Sequence, residues 1–283
     1  MSLDINVPIE THFADVEGMQ IAWRSQGQGR PLLMLNRFRA SMADWDPELI
    51  TALARTHRVI TFDNAGVAAS GGTVPDTLEG AADIAMKFAN VIGQDRPHVL
   101  GWSMGGMIAQ IIAAKYGDAI GGVVLAGTTP SFALEGTVPT PQEWLATATK
   151  EENTTEDMQF LFYADTEVSS SAGLSSLARI GQGNATAGAA SKTTMQTVGA
   201  QGAATRKFFF GEDGAFKGLD NIRVPVFVAN GDKDRAFAVE NALALVRAIP
   251  DAQLAIYPDA GHAFLFQHAE QFSEDVTRFL SGL

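Results

Sequence analysis

The chain has 283 residues, 46% of them hydrophobic and 18% charged, with a formal net charge of −12 and no cysteine. This is the composition of a globular protein rather than a disordered or fibrous one, long enough for one α/β unit with a large shared core and an insertion. The acidic balance, relieved by no Lys/Arg cluster, disfavours nucleic acid and anionic membranes as partners, and the lack of cysteine excludes disulfides, thiolate catalysis and Cys-based metal sites.

In chain order, residues 1–13 lack a basic start followed by an apolar core, and no uninterrupted apolar run approaches the about 18 residues of a membrane span, so a soluble, cytoplasmic protein is expected. From Thr11 the sequence alternates, breaks at Gly18, alternates again and reaches an apolar run at residues 31–35, which predicts a hairpin and a buried strand. "HRVITFDNAG" predicts another buried strand ending near Phe62, and Leu78 to Ile92 carries helical spacing through Ala82, Met86, Phe88 and Ala89. "HVLG" and "IGGVVLAG" read as short buried strands separated by a helix from Met104 to Tyr116. Strands alternating with helices imply parallel pairing, right-handed crossovers and helices on both faces.

From about Ser131 to Gly218 the rhythm stops, and Ala, Thr, Ser and Gly dominate. The composition is also that of a flexible linker, but Phe160, Leu161, Phe162, Leu174, Leu177 and Ile180 offer apolar anchors, and a helical insertion is the expectation. The rhythm then resumes with the strand "VPVFVANGD", a helix from Ala238 to Ala248, the strand and loop "AQLAIYPDAGH" and a closing amphipathic helix in "EQFSEDVTRFLSGL". The insertion therefore interrupts one sheet.

In open α/β sheets reactive groups collect beyond the carboxyl ends of strands. Ser103 stands there in "GWSMGG", between a strand and the helix starting at Met104. Such a tight turn strains the serine backbone, and Gly101 and Gly105 remove side chains that would strike neighbouring elements. The plain structural alternative is a small-residue turn that lets helix and strand pack closely. A serine nucleophile needs a base held by an acid. Of the five histidines, His12, His57 and His98 precede or begin strands, at the far end of the sheet, and His268 opens or precedes the last helix. His262 lies in a Gly-containing loop just past a strand end. "GDKDRAF" offers Asp232 and Asp234 past another; one of the pair is expected to bind its own backbone, and Asp234, deeper in the loop, is the expected acid. Asp259, three residues before His262, reads as a turn residue.

Gly101-Trp102-Ser103-Met104-Gly105, then Asp234, then His262, resembles the α/β-hydrolase superfamily, whose triad follows this chain order. "TFDNAGVAAS", with Asp63, Gly66 and Ser70, resembles the family's Asp-x-x-Gly-x-Gly-x-Ser segment, with Ala68 where the second glycine is usual. The resemblance implies an α/β-hydrolase fold: a mostly parallel central sheet flanked by helices, with a core of residues 1–130 and 219–283 and a helical lid, 131–218, inserted after the sixth strand. It also implies catalytic Ser103, Asp234 and His262, and an oxyanion hole made by the backbone N–H groups of Phe38 and Met104. The chain departs from the family after the third strand, where Asn36 and Arg37 replace the usual His-Gly. Arg37 is either part of a structural ion pair or, through its planar fork, a reader of a substrate carboxylate or carbonyl. Trp102, Met104, Phe132, Trp144, Phe264 and Phe266 lie in or near candidate pocket segments, as core or as an apolar substrate site.

The function expected is a serine hydrolase of a small carboxylic ester or related acyl compound, working through an acyl-enzyme with no cofactor or metal. Carbon–carbon hydrolysis and cofactor-free perhydrolysis on the same triad, or a receptor-like binding protein with little turnover, are the alternatives. The sequence sets no oligomeric state.

Overall fold

The computed structural model describes residues 10–186, 193–212 and 215–283. Its strands are β1 (His12–Val16), β2 (Met19–Gln26), β3 (Arg30–Leu35), β4 (His57–Phe62), β5 (His98–Trp102), β6 (Val123–Ala126), β7 (Val226–Gly231) and β8 (Gln253–Tyr257). They form one sheet in the order β1-β2-β4-β3-β5-β6-β7-β8. β1 pairs antiparallel with β2, and β2 with β4; every other pairing is parallel. The first hairpin turns on Glu17 and Gly18, both at positive φ (54° and 83°), the two-residue turn whose twist matches that of a strand pair. Along the inner strands β5, β6 and β7 every residue is buried, which is why they read as unbroken apolar runs.

Ten α-helices accompany the sheet among the described residues: α1 (Pro47–Leu53), α2 (Leu78–Val91), α3 (Met104–Lys115), α4 (Gln142–Ala148), α5 (Thr155–Phe162), α6 (Glu167–Thr186), α7 (Met195–Phe209), α8 (Val239–Ala248), α9 (Phe264–Gln267) and α10 (Ala269–Leu280). α2 is capped by the Thr77 hydroxyl, which accepts from Gly80 N, and buries Leu78, Ala82, Ala85, Phe88 and Ala89 on one side. α3 is buried on all sides from Met104 to Ala113, the signature of a helix enclosed between layers. α1 is an element beyond those expected from the sequence; Asp46 caps it by accepting from Glu48 N, and Pro47 opens it.

Between β6 and β7 the described residues form the helices α4 to α7 and no strand. Phe162 and Leu161 anchor this helical insertion as expected, but Leu174 is 53% exposed. α6 instead buries Ser169, Gly173 and Ser176. Small residues there allow close approach: a Cβ on Gly173 would stand 2.7 Å from Gln159 and Tyr163 side-chain atoms. Arg179 of α6 fastens the insertion to the core through the fully buried Asp46, 2.7 Å from Nη2 to Oδ2. Among the described residues no helix is long and apolar enough to cross a membrane.

The chain runs from β3 to β4 on one side of β3 and later returns to place β5 on the other side. Where strand order reverses in this way, loops leaving the carboxyl ends diverge and open a crevice. The loops after β3 and β5 border it.

Candidate active site

Ser103 follows β5 and is the N-cap residue of α3, with φ 59° and ψ −119°, a conformation that costs a non-glycine residue roughly 1–3 kcal/mol. Fixed neighbours hold the turn: Ser103 N donates to Ala126 O (2.9 Å), and Thr128 Oγ1 donates to Ser103 O (2.8 Å). A Cβ on Gly101 would overlap the Gly105 carbonyl, and one on Gly105 would overlap the Leu35 carbonyl, so the turn admits no side chain at either position. The Ser103 side chain makes no capping bond to α3. Ser103 directly precedes the N-terminus of α3, where N–H groups without intrahelical partners favour negative charge.

The loops after β7 and β8 bring the acid and base together. Asp234 Oδ1 accepts from Ala236 N (2.7 Å) and Phe237 N (3.0 Å), while Oδ2 lies 2.9 Å from His262 Nδ1. Both side chains are buried, and His262 Nε2 has no hydrogen-bond partner among the described residues. Trp102 Nε1 donates to the His262 carbonyl (3.0 Å), tying the residue before Ser103 to the histidine loop. The local backbone bonds expected of one of the pair are made by Asp234 itself, the residue that also faces His262, while Asp232 accepts from Ala260 N (3.1 Å) in the loop after β8. Asp259 is a turn residue at φ 53°, and the hydrogen bonds from Lys233 Nζ (2.6 Å) and Thr166 Oγ1 (2.9 Å) hold its carboxyl below the usual carboxylate range.

The remaining histidines stand elsewhere. His12, His57 and His98 begin β1, β4 and β5, at the opposite end of the sheet, with His57 and His98 buried there. His268 precedes α10 without capping it; its Nε2 donates to Pro258 O (3.1 Å).

Four aromatic rings surround the His262 imidazole: Phe162 stacked at 5.9 Å, Trp102 at 5.7 Å, and Trp144 and Phe237 edge-on at 5.8 and 5.6 Å. Phe162 and Phe237 are cage residues beyond those expected from the sequence. Phe237 carries a signal in being three residues beyond Asp234, whereas Phe162 arrives through the insertion and has no local one. Phe132 stacks on Phe209 at 4.6 Å, and Phe209 meets Phe237 at 6.3 Å. Phe264 is not brought to the cage: it is fully buried against Tyr257 (5.0 Å) and Phe272 (5.6 Å), because α9 turns it toward β8 and α10. Phe266 packs on Trp102 at 4.8 Å.

The segment after β3 lies beside the Ser103 turn because Leu35 pairs with Gly101. Asn36 is fully buried, donating to Phe62 O (2.7 Å) and accepting from Trp45 Nε1 (2.7 Å). Arg37 Nη1 donates to Phe38 O (2.8 Å), Nη2 lies 3.5 Å from Asp44 Oδ1, and the guanidinium stands over Trp102 (5.5 Å) and Phe162 (4.7 Å). Burial pushes its pKa down, and its Nε has no partner among the described residues. A turn closed by Ala40 N and Arg37 O (3.2 Å), with Arg39 at φ 64°, follows. Within the described residues neither Phe38 N–H nor Met104 N–H is taken up by the surrounding loops. A separate surface cavity of about 620 Å³ lies at the amino ends of β7 and β8, lined by Pro225, Phe227, Gln253 and Phe279.

A family model described as the alpha/beta hydrolase fold matches residues 30–269. Among proteins of known name, the chain is 26% identical over 279 residues to a non-heme haloperoxidase of Rhodococcus erythropolis, covering 94% of this chain and 97% of that one. It is 24% identical over 270 residues to a pimeloyl-[acyl-carrier protein] methyl ester esterase of Aliivibrio salmonicida, covering 91% and 95%. Among solved structures, an alpha/beta hydrolase fold protein from Chitinophaga pinensis superposes with a TM-score of 0.85 at 28% identity, covering 98% of this chain and 99% of the other.

Proposed function

The chain belongs to the alpha/beta hydrolase family, and from that premise we propose that it is a serine hydrolase of small carboxylic esters or related acyl compounds. Ser103 Oγ attacks the carbonyl carbon while His262 Nε2 takes its proton; Asp234 holds the imidazole and stabilises the cation that forms. The N–H groups of Phe38 and Met104 receive the developing oxyanion, each worth about 3 kcal/mol. The leaving alcohol takes the proton from His262, and water, activated by the same base, releases the acid from Ser103. The helical insertion acts as a lid, and Trp144 and Phe132 supply apolar wall.

One observation carries this reading: His262 is fixed by Asp234 through Nδ1 while Nε2 is left without a protein partner, at the rim that holds the strained Ser103 turn. The name of the Aliivibrio relative, a methyl ester esterase, supports the ester. The test is incubation with a fluorophosphonate and with a chromogenic short-chain ester. Labelling at Ser103 with ester turnover is expected, and Ser103→Ala is expected to lose at least about a thousandfold in turnover. Near-normal turnover by pure, folded Ser103→Ala overturns the assignment.

The name of the Rhodococcus relative supports a second reading, in which hydrogen peroxide replaces water as the acyl acceptor and a peracid leaves. Peroxide-dependent halogenation in the presence of a short carboxylic acid, abolished by Ser103→Ala, distinguishes it.

A further inference from the structure

α7 presents Val198, Gln201, Ala204, Thr205 and Phe208 as its buried face. Gln201 and Thr205, one turn apart, are the polar members of that stripe. Gln201 Oε1 accepts from Arg39 N (2.9 Å). A backbone N–H can only donate, so the atom facing it must be the amide oxygen, which assigns the carboxamide's orientation. The opposite end is therefore the NH₂ group. It is buried, in a residue only 2% exposed, and has no hydrogen-bond partner among the described residues; the same holds for Thr205 Oγ1. A buried donor left unpaired costs about 1–3 kcal/mol, and native interiors keep few of them without a reason.

The position of α7 supplies the reason. The Arg39 N–H belongs to the peptide that follows Phe38, and the carbonyl of that same peptide accepts from Arg37 Nη1. Gln201 thus sits against the oxyanion loop. At the far end of the helix, Phe209 packs on Phe237, which packs on His262. At 1.5 Å rise per residue the helix covers about 12 Å from Gln201 to Phe209, so it runs from the oxyanion loop to Phe237, the ring that packs on the base, with Thr205 between.

We propose that the Gln201 carboxamide, with the Thr205 hydroxyl, recognises a second carbonyl oxygen on the acyl portion of the substrate, making oxo-acyl esters the preferred substrate class. This rests on the serine-hydrolase reading above. Gln201 Nε2 donates to the second oxygen while Oε1 keeps its bond to Arg39 N, so recognition draws on the same side chain that holds the peptide after Phe38. A saturated acyl chain would leave the donor unpaired and bind more weakly.

The test compares 4-nitrophenyl hexanoate with its 3-, 4- and 5-oxo counterparts, each kcat/KM divided by the ester's alkaline hydrolysis rate to remove intrinsic reactivity. The wild-type protein is expected to prefer at least one oxo ester about tenfold or more, the size of one well-made hydrogen bond. Gln201→Met, close in shape and without the donor, is expected to bring that ratio near one; Thr205→Val, closer still in volume, lowers it several-fold and carries the test should Gln201→Met not fold. A wild-type protein with no preference for any oxo ester, or a ratio unchanged in the folded variants, overturns the proposal. So does an equal loss on parent and oxo esters, which would make Gln201 a clamp for Arg39 alone. Fluorophosphonate labelling of the wild-type protein separates the two levels: labelling with an unchanged ratio removes only the recognition pair, and no labelling with no ester turnover removes the serine-hydrolase reading as well.

Discussion

Asp234→Asn tests the proposed mechanism through a constraint set by the loop itself. Asp234 Oδ1 accepts from two backbone N–H groups, Ala236 and Phe237, and Oδ2 faces His262 Nδ1. An asparagine in this position has one acceptor oxygen, and only that oxygen can satisfy the two backbone donors, so its NH₂ is forced toward His262. Nδ1 must then accept, which puts the imidazole proton on Nε2, the nitrogen that has to receive the proton of Ser103. The nucleophile loses its base while the fold keeps the loop's hydrogen bonds. A wrong tautomer in a triad costs about 10⁴ in kcat, or about 5 kcal/mol of transition-state stabilisation. The assay is steady-state and single-turnover hydrolysis of a chromogenic ester, alongside a urea melt. A drop of less than about tenfold, with the melt unchanged, refutes the assigned role of Asp234; an equally deep loss of stability refutes the premise that its backbone bonds survive.

Two further predictions concern the scaffold. His98 is almost fully buried, and desolvation first, with the charges of Arg30 and His57 adding to it, lowers its pKa to about 4 from an ordinary 6.5. The unfolded chain therefore binds a proton that the folded chain refuses, so this contribution to stability is complete above about pH 6.5 and is lost as the pH falls toward about 4. The full shift corresponds to about 3 kcal/mol, of which roughly 2 is expected after relaxation around the cation. Urea melts at pH 7 and pH 4.5 on the wild type and His98→Leu check it, and equal acid losses in the two proteins refute it. Ala68 is held at φ 48°, in the left-handed region. Ala68→Gly is expected to raise stability by about 0.5–1 kcal/mol, the relief of the Cβ clash less the extra entropy of an unfolded glycine, and a lower melting temperature counts against it.

The parts legible in the sequence are those fixed by local pattern. The buried runs of β5, β6 and β7 are recognisable from their apolar residues, and strand ends alone suffice to place the candidates Ser103, Asp234 and His262 in the loops after β5, β7 and β8. α1 is short, and its signal is the Asp46-Pro47 pair rather than any periodicity. α6 misled because an apolar residue at helical spacing usually faces inward; here the close approach of α5 favours Gly173 and Ser176 inside and leaves Leu174 outside. Phe264 misled in the opposite way. Two residues past His262 it looks like site lining, but the four-residue α9 carries its ring to Tyr257. Phe162 and Gln201 were illegible as site residues because their positions depend on where the insertion folds back, which no local pattern encodes.

The insertion is attached where it matters for the proposed chemistry. The Arg39 guanidinium donates to the carbonyls of Ala148, Lys150 and Glu151 at and just beyond the end of α4, a favourable place for a cation because a helix C-terminus carries partial negative charge. Its backbone N–H is held by Gln201 of α7 and its carbonyl by Thr193 just before that helix, while Thr197 donates to Gly66 O in the loop after β4. Arg39 is thus held at three points by the insertion and is covalently next to Phe38. Lifting α4 and α7 off the sheet would break these bonds, which end on the residue that follows Phe38. In the proposed mechanism the groups that shelter the acyl-enzyme from water are therefore the same groups that hold the peptide after the oxyanion donor Phe38. In the proposed mechanism, docking of the insertion on Arg39 couples its closure to the geometry of the Phe38 donor, whereas docking on loops remote from that turn would leave the two independent.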